Sequence, residues 1–252
     1  MAVPRGKGIY ARDPDFYPGS DPGAYAQQME CDFICLHHFA SSDAHIERAR
    51  DRGLQVWLWS GPESWSADNW EPTLRALSGR AAFMGLSGFV ADPESGWQGR
   101  QAERIRLGKS LQAATQITSV GVTSYPSWYI QDVAEHAPSV WGSPQLYGIV
   151  SPGTPQELRA RGMRWAKLMP TIPSLAAWSR SPVEQESYLQ AFSDAPGAIL
   201  WQAPSHSGNI QPQPGTPGFT VLRQWQPTRT RARDFVAVAA RRAALPFSPG
   251  RS

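Results

Sequence analysis

Short apolar runs alternate with stretches of helical periodicity from one end of the chain to the other. Residues 8–11 (Gly-Ile-Tyr-Ala) read as a first strand and 21–29 as a weak helix. Residues 32–37 form a second strand, and 43–52 its helix, with Gly53 placed for a left-handed stop. A third strand spans 54–59, and a helix over 68–77 ends near Gly79. Residues 86–91 make the fourth strand, followed by a helix over 100–115. The fifth strand is read at 117–122, before a short helix at 128–136. Either 140–141 or 146–149 supplies the sixth strand. Its helix, 155–165, is marked by Thr154 as N-cap and Pro155 in the first turn. The seventh strand is read at 167–172. Ser181 caps a helix over 182–192, and 198–202 is the eighth strand.

Eight strands alternating with seven or eight helices predict an α/β fold, a single (β/α)8 or TIM barrel over residues 1–225. Residues 226–252 follow it as a basic tail or closing helix. The rival is a doubly wound open sheet, but no glycine-rich phosphate loop follows the first strand.

Composition fits this picture. The 252 residues are 41% hydrophobic and 18% charged, enough for one large core. Eleven tryptophans, seven tyrosines and nine phenylalanines suit carbohydrate binding, although core packing can use them as well. Six arginines against the single acid Asp234 fall within 226–252, leaving a mildly acidic body with no nucleic-acid-binding character. No apolar run is long enough to span a membrane, and the N-terminus lacks the apolar core of a secretory signal. Cys31 and Cys35, four apart in an extended segment, are too far apart for a disulfide and read as free thiols made in a reducing cytosol. Neither a metal nor a cofactor is expected. His37 and His38 face opposite ways on a strand, and there is no Walker loop or G-x-S-x-G elbow.

The chemistry gathers where strands end, which is where barrel active sites lie. The fourth strand closes in Asp92-Pro93-Glu94, followed by Trp97. Alternation along a strand points the two carboxylates the same way, about 6–7 Å apart. Paired carboxylates at the mouth of a sheet are the equipment of glycosidic bond cleavage. The alternative is that one of them simply caps the helix that follows. Other strand ends add Trp59 and Glu63, Tyr125 and Trp128, Trp141, Gln145 and Tyr147, and finally Trp201 and Gln202. Aromatic and amide groups beside carboxylates describe a sugar cleft rather than a phosphate site.

These residues resemble the glycoside hydrolase family 25 lysozymes and related barrel hydrolases of phages and bacteria. Asp92-Pro93-Glu94 matches that group's Asp-x-Glu at the end of the fourth strand, and Trp201-Gln202 its Trp-Gln in the last. The chain also departs from the pattern. Tyr10 stands near the place of an aspartate on the first strand, and no acid lies between Ala203 and Trp225 where another is expected.

The resemblance implies hydrolysis of a β-linked, N-acetylated glycan such as peptidoglycan. Glu94 is then the general acid, its pKa raised by its surroundings. Asp92 stays ionised to orient a substrate acetamido group or stabilise the transition state. Trp97, Tyr125, Trp128 and Trp201 form the sugar platform, with Gln202, Glu63 and Trp59 beside it. The alternative function is a non-catalytic barrel that binds glycan or protein in a phage tail or similar cell-puncturing particle. Residues 229–252 would then dock it on a protein partner through their arginines.

Overall fold

The computed structural model describes residues 3–94, 96–147, 153–176, 181–201 and 214–227. Eight parallel strands make one sheet: β1 (Gly6–Ala11), β2 (Phe33–His37), β3 (Gln55–Trp59), β4 (Gly88–Ala91), β5 (Ser119–Ser124), β6 (Trp141–Pro144), β7 (Ser174–Ala176) and β8 (Gly197–Trp201). Their spatial order is β6-β5-β4-β3-β2-β1-β8-β7. Single parallel bridges, Gly142 with Thr171 and Gln145 with Ser174, join the two ends and close the circle. The helices between strands are α1 (Pro22–Gln28), α2 (Asp43–Asp51), α3 (Glu71–Phe83), α4 (Gln101–Ala114), α5 (Ile130–His136), α6 (Pro155–Ala166) and α7 (Pro182–Gln190), with α8 (Pro217–Gln224) after the last strand. The fold is a (β/α)8 barrel, as the alternation predicts.

Strand alternation divides the core in two. One set of side chains faces the helices and packs with them in a continuous outer core, among them Ile9, Ile34, Leu36, Leu58, Phe89, Val120 and Leu200. The other set fills the barrel: Tyr10, Phe33, Cys35, Trp57, Trp59, Val90, Trp141, Ile172 and Ile199. Five of these are aromatic rings, and glycines make room for three. In the register, Gly8 lies opposite Phe33, Gly88 opposite Trp57, and Gly121 opposite Trp141. A Cβ on any of the three would run into the facing ring.

Several helices begin as their caps dictate. Thr154 and Ser181 each accept from the third residue of their helix while Glu157 and Glu184 reach back, a capping box in both cases. The helix read at 68–77 instead runs from Glu71 to Phe83, with Gly79 inside it. No neighbour approaches where the Gly79 Cβ would stand, so an exposed helical glycine was mistaken for a stop. The fifth strand lies two residues later than read. The seventh is Ser174–Ala176 rather than 167–172, because Lys167 still caps α6 and Leu168 and Met169 bond back to Trp165. Trp141, expected at the mouth, is buried within the barrel, its ring 5.4 Å from that of Trp57. Residues 228–252, and with them the arginine-rich tail, lie outside the described residues. Among those described, no helix is long and apolar enough to cross a membrane.

Candidate active site

Val90 faces into the barrel and Ala91 outward, so the next inward position belongs to Asp92. Here the strand gives way to Pro93 and the chain turns toward α4. The Ser124 hydroxyl, at the end of β5, donates to the Pro93 carbonyl and pins the turn. Glu94 therefore leans over the mouth beside Asp92. Asp92 is 1% exposed, whereas Glu94 is half-buried.

Gln145 joins the two acids. Its Nε2 donates to Asp92 Oδ1 at 3.1 Å and to Glu94 Oε1 at 2.5 Å. The amide is itself held where the barrel closes. Gln145 N donates to Ser124 O at 2.9 Å, and the residue bridges to Ser174. Tyr188 of α7 donates its hydroxyl to the Leu146 carbonyl and secures the next residue.

Burial pushes the Asp92 carboxyl well above the ordinary value of 3.8; the negative charge of Glu94 and a hydrogen bond with it push the same way. The direction favours the protonated form of Asp92. The expectation of an ionised Asp92 runs against its burial at an inward strand position. Tyr147 and Tyr125 border the pair. Burial, then Asp92 and Glu94, raise the Tyr147 hydroxyl; burial, then a hydrogen bond with Glu94, raise that of Tyr125.

The floor is aromatic. Tyr10, Trp59 and Trp201 meet edge to face with centroids 5.2–5.5 Å apart, and Tyr147 stacks on Trp201 at 6.2 Å with planes 10° apart. Trp59 is almost wholly buried, and its Nε1 donates to Ala11 O at 3.3 Å. Trp201 keeps part of its surface open and lies at the same end of the barrel as the carboxylates. Tyr10 fills the first-strand position where an aspartate was sought, so that part of the barrel interior is a ring and not an acid.

Trp97 and Trp128 do not present open faces. Trp97 is 1% exposed and Trp128 7%. The Trp97 Nε1 donates to Trp65 O at 2.8 Å, and the two rings meet edge to face at 6.1 Å. Their indoles pack into the outer core and at the same time line the cavity beside Glu94. The exposed ring on that rim is Tyr129. Together with Glu94, Gln98, Tyr125 and Ser127 it borders a cavity of about 320 Å³.

After β3, the strand beside β4, Glu63 has Arg12 Nη2 at 3.6 Å and His37 Nε2 at 3.9 Å from its carboxylate. Gly61 N donates to His37 Nε2 at 3.3 Å, which leaves the ring proton on Nδ1. Burial lowers the pKa of His37, so the ring is neutral near pH 7. Gln202 lies outside the described residues. Among the described residues no group of three or more His, Cys, Asp or Glu side chains is arranged to hold a metal ion.

No protein-family model and no curated protein matches the sequence. Solved structures match the fold. An endo-β-N-acetylglucosaminidase from Cordyceps militaris superposes with a TM-score of 0.52 at 14% identity, covering 87% of this chain and 88% of that one. A family 18 chitinase from Pseudoalteromonas aurantia gives 0.57 at 15%, covering 81% and 96%. An endoglucanase from Pseudomonas stutzeri gives 0.58 at 11%, covering 86% and 92%. At these identities the likeness shows a shared barrel.

Proposed function

We propose that the protein is a glycoside hydrolase that cleaves a β-linked, N-acetylated glycan, with Glu94 as general acid and Asp92 as its partner. One observation carries the reading: a single amide, Gln145, ties a buried carboxyl, Asp92, to a half-buried one, Glu94, above an aromatic floor. The structural neighbours support it. Two of the three act on N-acetylglucosamine glycans by name. The Cordyceps militaris enzyme is also known as a variant in which an aspartate and a glutamate two positions apart are replaced by Asn and Gln, in complex with fucosyl-N-acetylglucosamine-Asn. Its Asp-x-Glu spacing is that of Asp92 and Glu94.

The two carboxyls share one hydrogen bond and one amide donor, so they lie on the same side of the cleft. They do not flank a bond from opposite faces, as a nucleophile and acid must. The acetamido oxygen of the substrate is therefore the better nucleophile. As the sugar binds, its amide N–H takes the place of the Asp92 proton, and that proton passes to Glu94. Glu94 then protonates the departing glycosidic oxygen while the bond from C1 to that oxygen breaks. The acetamido oxygen closes on C1, and ionised Asp92 steadies the positive charge on the amide nitrogen. Glu94, now a base, takes a proton from the water that opens the ring. Tyr147 and Trp201 border the reacting sugar, and Tyr125 keeps Glu94 aimed.

Peptidoglycan remains the proposed natural glycan, with N-acetylglucosamine oligomers as the simplest probe. Release of reducing ends from both tests the reading. Glu94→Gln is expected to lower turnover about 10²-fold or more, because a positioned proton transfer is worth 10²–10⁴. Unchanged turnover would remove Glu94 from the role. An inert parent protein that still binds the glycan would leave a binding barrel in a larger assembly.

A further inference from the structure

We infer that the cavity on the β4–β5 side of Glu94 is the subsite for the leaving-group sugar, and that Arg104 is the positioning residue that fixes its walls. The inference rests on the hydrolase reading above.

An acid that protonates a glycosidic oxygen stands between two sugars. The sugar that reacts must lie over Asp92, Tyr147 and Trp201, toward the barrel axis. The other must lie on the outer side of Glu94, where the structure has a cavity of about 320 Å³. That volume is at the small end of the range for ligand sites and gives room for one ring with its substituents. The cavity is bordered by Trp97, Gln98, Tyr125, Ser127, Trp128 and the exposed Tyr129, and Glu94 is the one charged side chain on its border. Amide and hydroxyl groups beside an open ring select an uncharged, hydroxyl-rich ligand, and a pyranose fits that description.

Two loops make the walls, and one buried cation ties them together. Arg104 lies on α4, is 6% exposed, and does not border the cavity. Its Nη1 donates to Trp97 O at 2.5 Å, fixing the loop that leads away from Glu94. Its Nε donates to Asp132 Oδ2 at 2.6 Å on the first turn of α5. Its guanidinium covers the Tyr129 ring at 4.1 Å from the centroid. The inner face of Tyr129 is thus held by the cation, leaving its outer face for a ligand. A planar fork can do all three at once; an ammonium cannot.

The full chain is assayed on two substrates with the same reacting sugar. One is an N-acetylglucosamine oligomer. The other is the nitrophenyl β-glycoside of N,N′-diacetylchitobiose, whose leaving group does not need a sugar subsite. Tyr129→Ala is expected to lower kcat/KM on the oligomer about tenfold, mostly through KM, and to leave the nitrophenyl glycoside within about twofold. Arg104→Lys should reproduce the oligomer defect, about threefold to tenfold, with the nitrophenyl glycoside less affected, whatever fall in Tm the lost guanidinium contacts bring. Equal losses on both substrates would reduce Arg104 to a structural role and overturn the inference, as would an undiminished oligomer rate. Binding of the N-acetylglucosamine trimer, followed by tryptophan fluorescence, separates the two levels. If the parent binds the trimer but cleaves nothing, the hydrolase reading fails and with it the leaving-group role. Weaker binding in Tyr129→Ala would then keep the cavity as a sugar site, and undiminished binding would overturn that as well.

Discussion

Asp92 does its work by being the wrong residue for its place: a carboxyl at an inward barrel position, away from water, next to another acid. Its pKa lies above the ordinary 3.8 because of burial and Glu94, and this has a consequence for stability. Between the unfolded and the folded pKa the unfolded chain has released this proton and the native protein still holds it. The unfolded state then binds fewer protons, so this group's contribution to stability falls as pH rises. It is fully present below the unfolded pKa and is lost progressively up to the raised folded one. Asp92→Asn keeps the shape and the hydrogen bonds but has no proton to release. Its Tm relative to the parent is therefore expected to improve from about pH 4 toward neutrality. Thermal melts of both proteins across that interval check the sign. A difference that stays flat, or moves against the variant, would mean that Asp92 is ionised at rest and that the proposed transfer to Glu94 has no starting point.

The strands show how far the sequence could be read. β1 to β4, β8 and the helices α1, α2 and α4 were legible because apolar runs there are bounded by clear turn residues, whereas α3 was misplaced and α8 was not read. The placement of Asp92 and Glu94 at the end of β4 followed from that boundary. Beyond β5 the signal weakens. The apolar stretch 167–172 looks like a strand, yet its first residues finish α6, and the pairing strand begins only at Ser174, after Pro173, and is three residues long. The role of Gln145 was not legible, although the residue stood among the strand-end groups: which acids it bridges depends on the barrel's closure, not on local pattern. Nor was the burial of Trp97 and Trp128, since a loop tryptophan reads the same whether it faces outward or in. Least visible of all was the pairing of glycines with rings across strands, which needs the register. It gives an element-level prediction. Gly88 faces Trp57, and a methyl group there would meet the Trp57 ring and the Ser119 carbonyl. Gly88→Ala is expected to destabilise the protein by about 1–3 kcal/mol or more, as overpacking does. Urea unfolding measures it. A loss below about 0.5 kcal/mol, the size of an ordinary surface change, would show that the indole has somewhere else to go.

At the scale of the whole barrel, the site sits on its weakest joint. Seven of the eight strand junctions are ladders, whereas β6 and β7 meet through two single bridges. The bonds across that seam are few: Gly142 N to Pro170 O at 2.7 Å, Ile172 N to Gly142 O at 3.0 Å, Leu146 N to Ser174 O at 2.9 Å, and the Ser143 and Ser174 hydroxyls 2.8 Å apart. Gln145 is part of this seam and also the clamp on Asp92 and Glu94. Local opening follows the regions with the fewest buried contacts and the shortest ladders. The amides of Leu146 and Ile172 are therefore expected to exchange with solvent through smaller openings than the amides shared by β2 and β3, whose five paired residues lie in the middle of the sheet. A sugar held over the carboxylates fixes the Gln145 amide from above. Adding the N-acetylglucosamine trimer should then slow exchange at Leu146 more than in β2. Native-state hydrogen exchange with and without the trimer tests both statements. If the seam amides are as protected as β2 and β3 in the free protein, the closure is stronger than its bridges suggest. If the seam is weak but the trimer slows β2 and Leu146 alike, Gln145 does not couple the barrel's closure to its ligand.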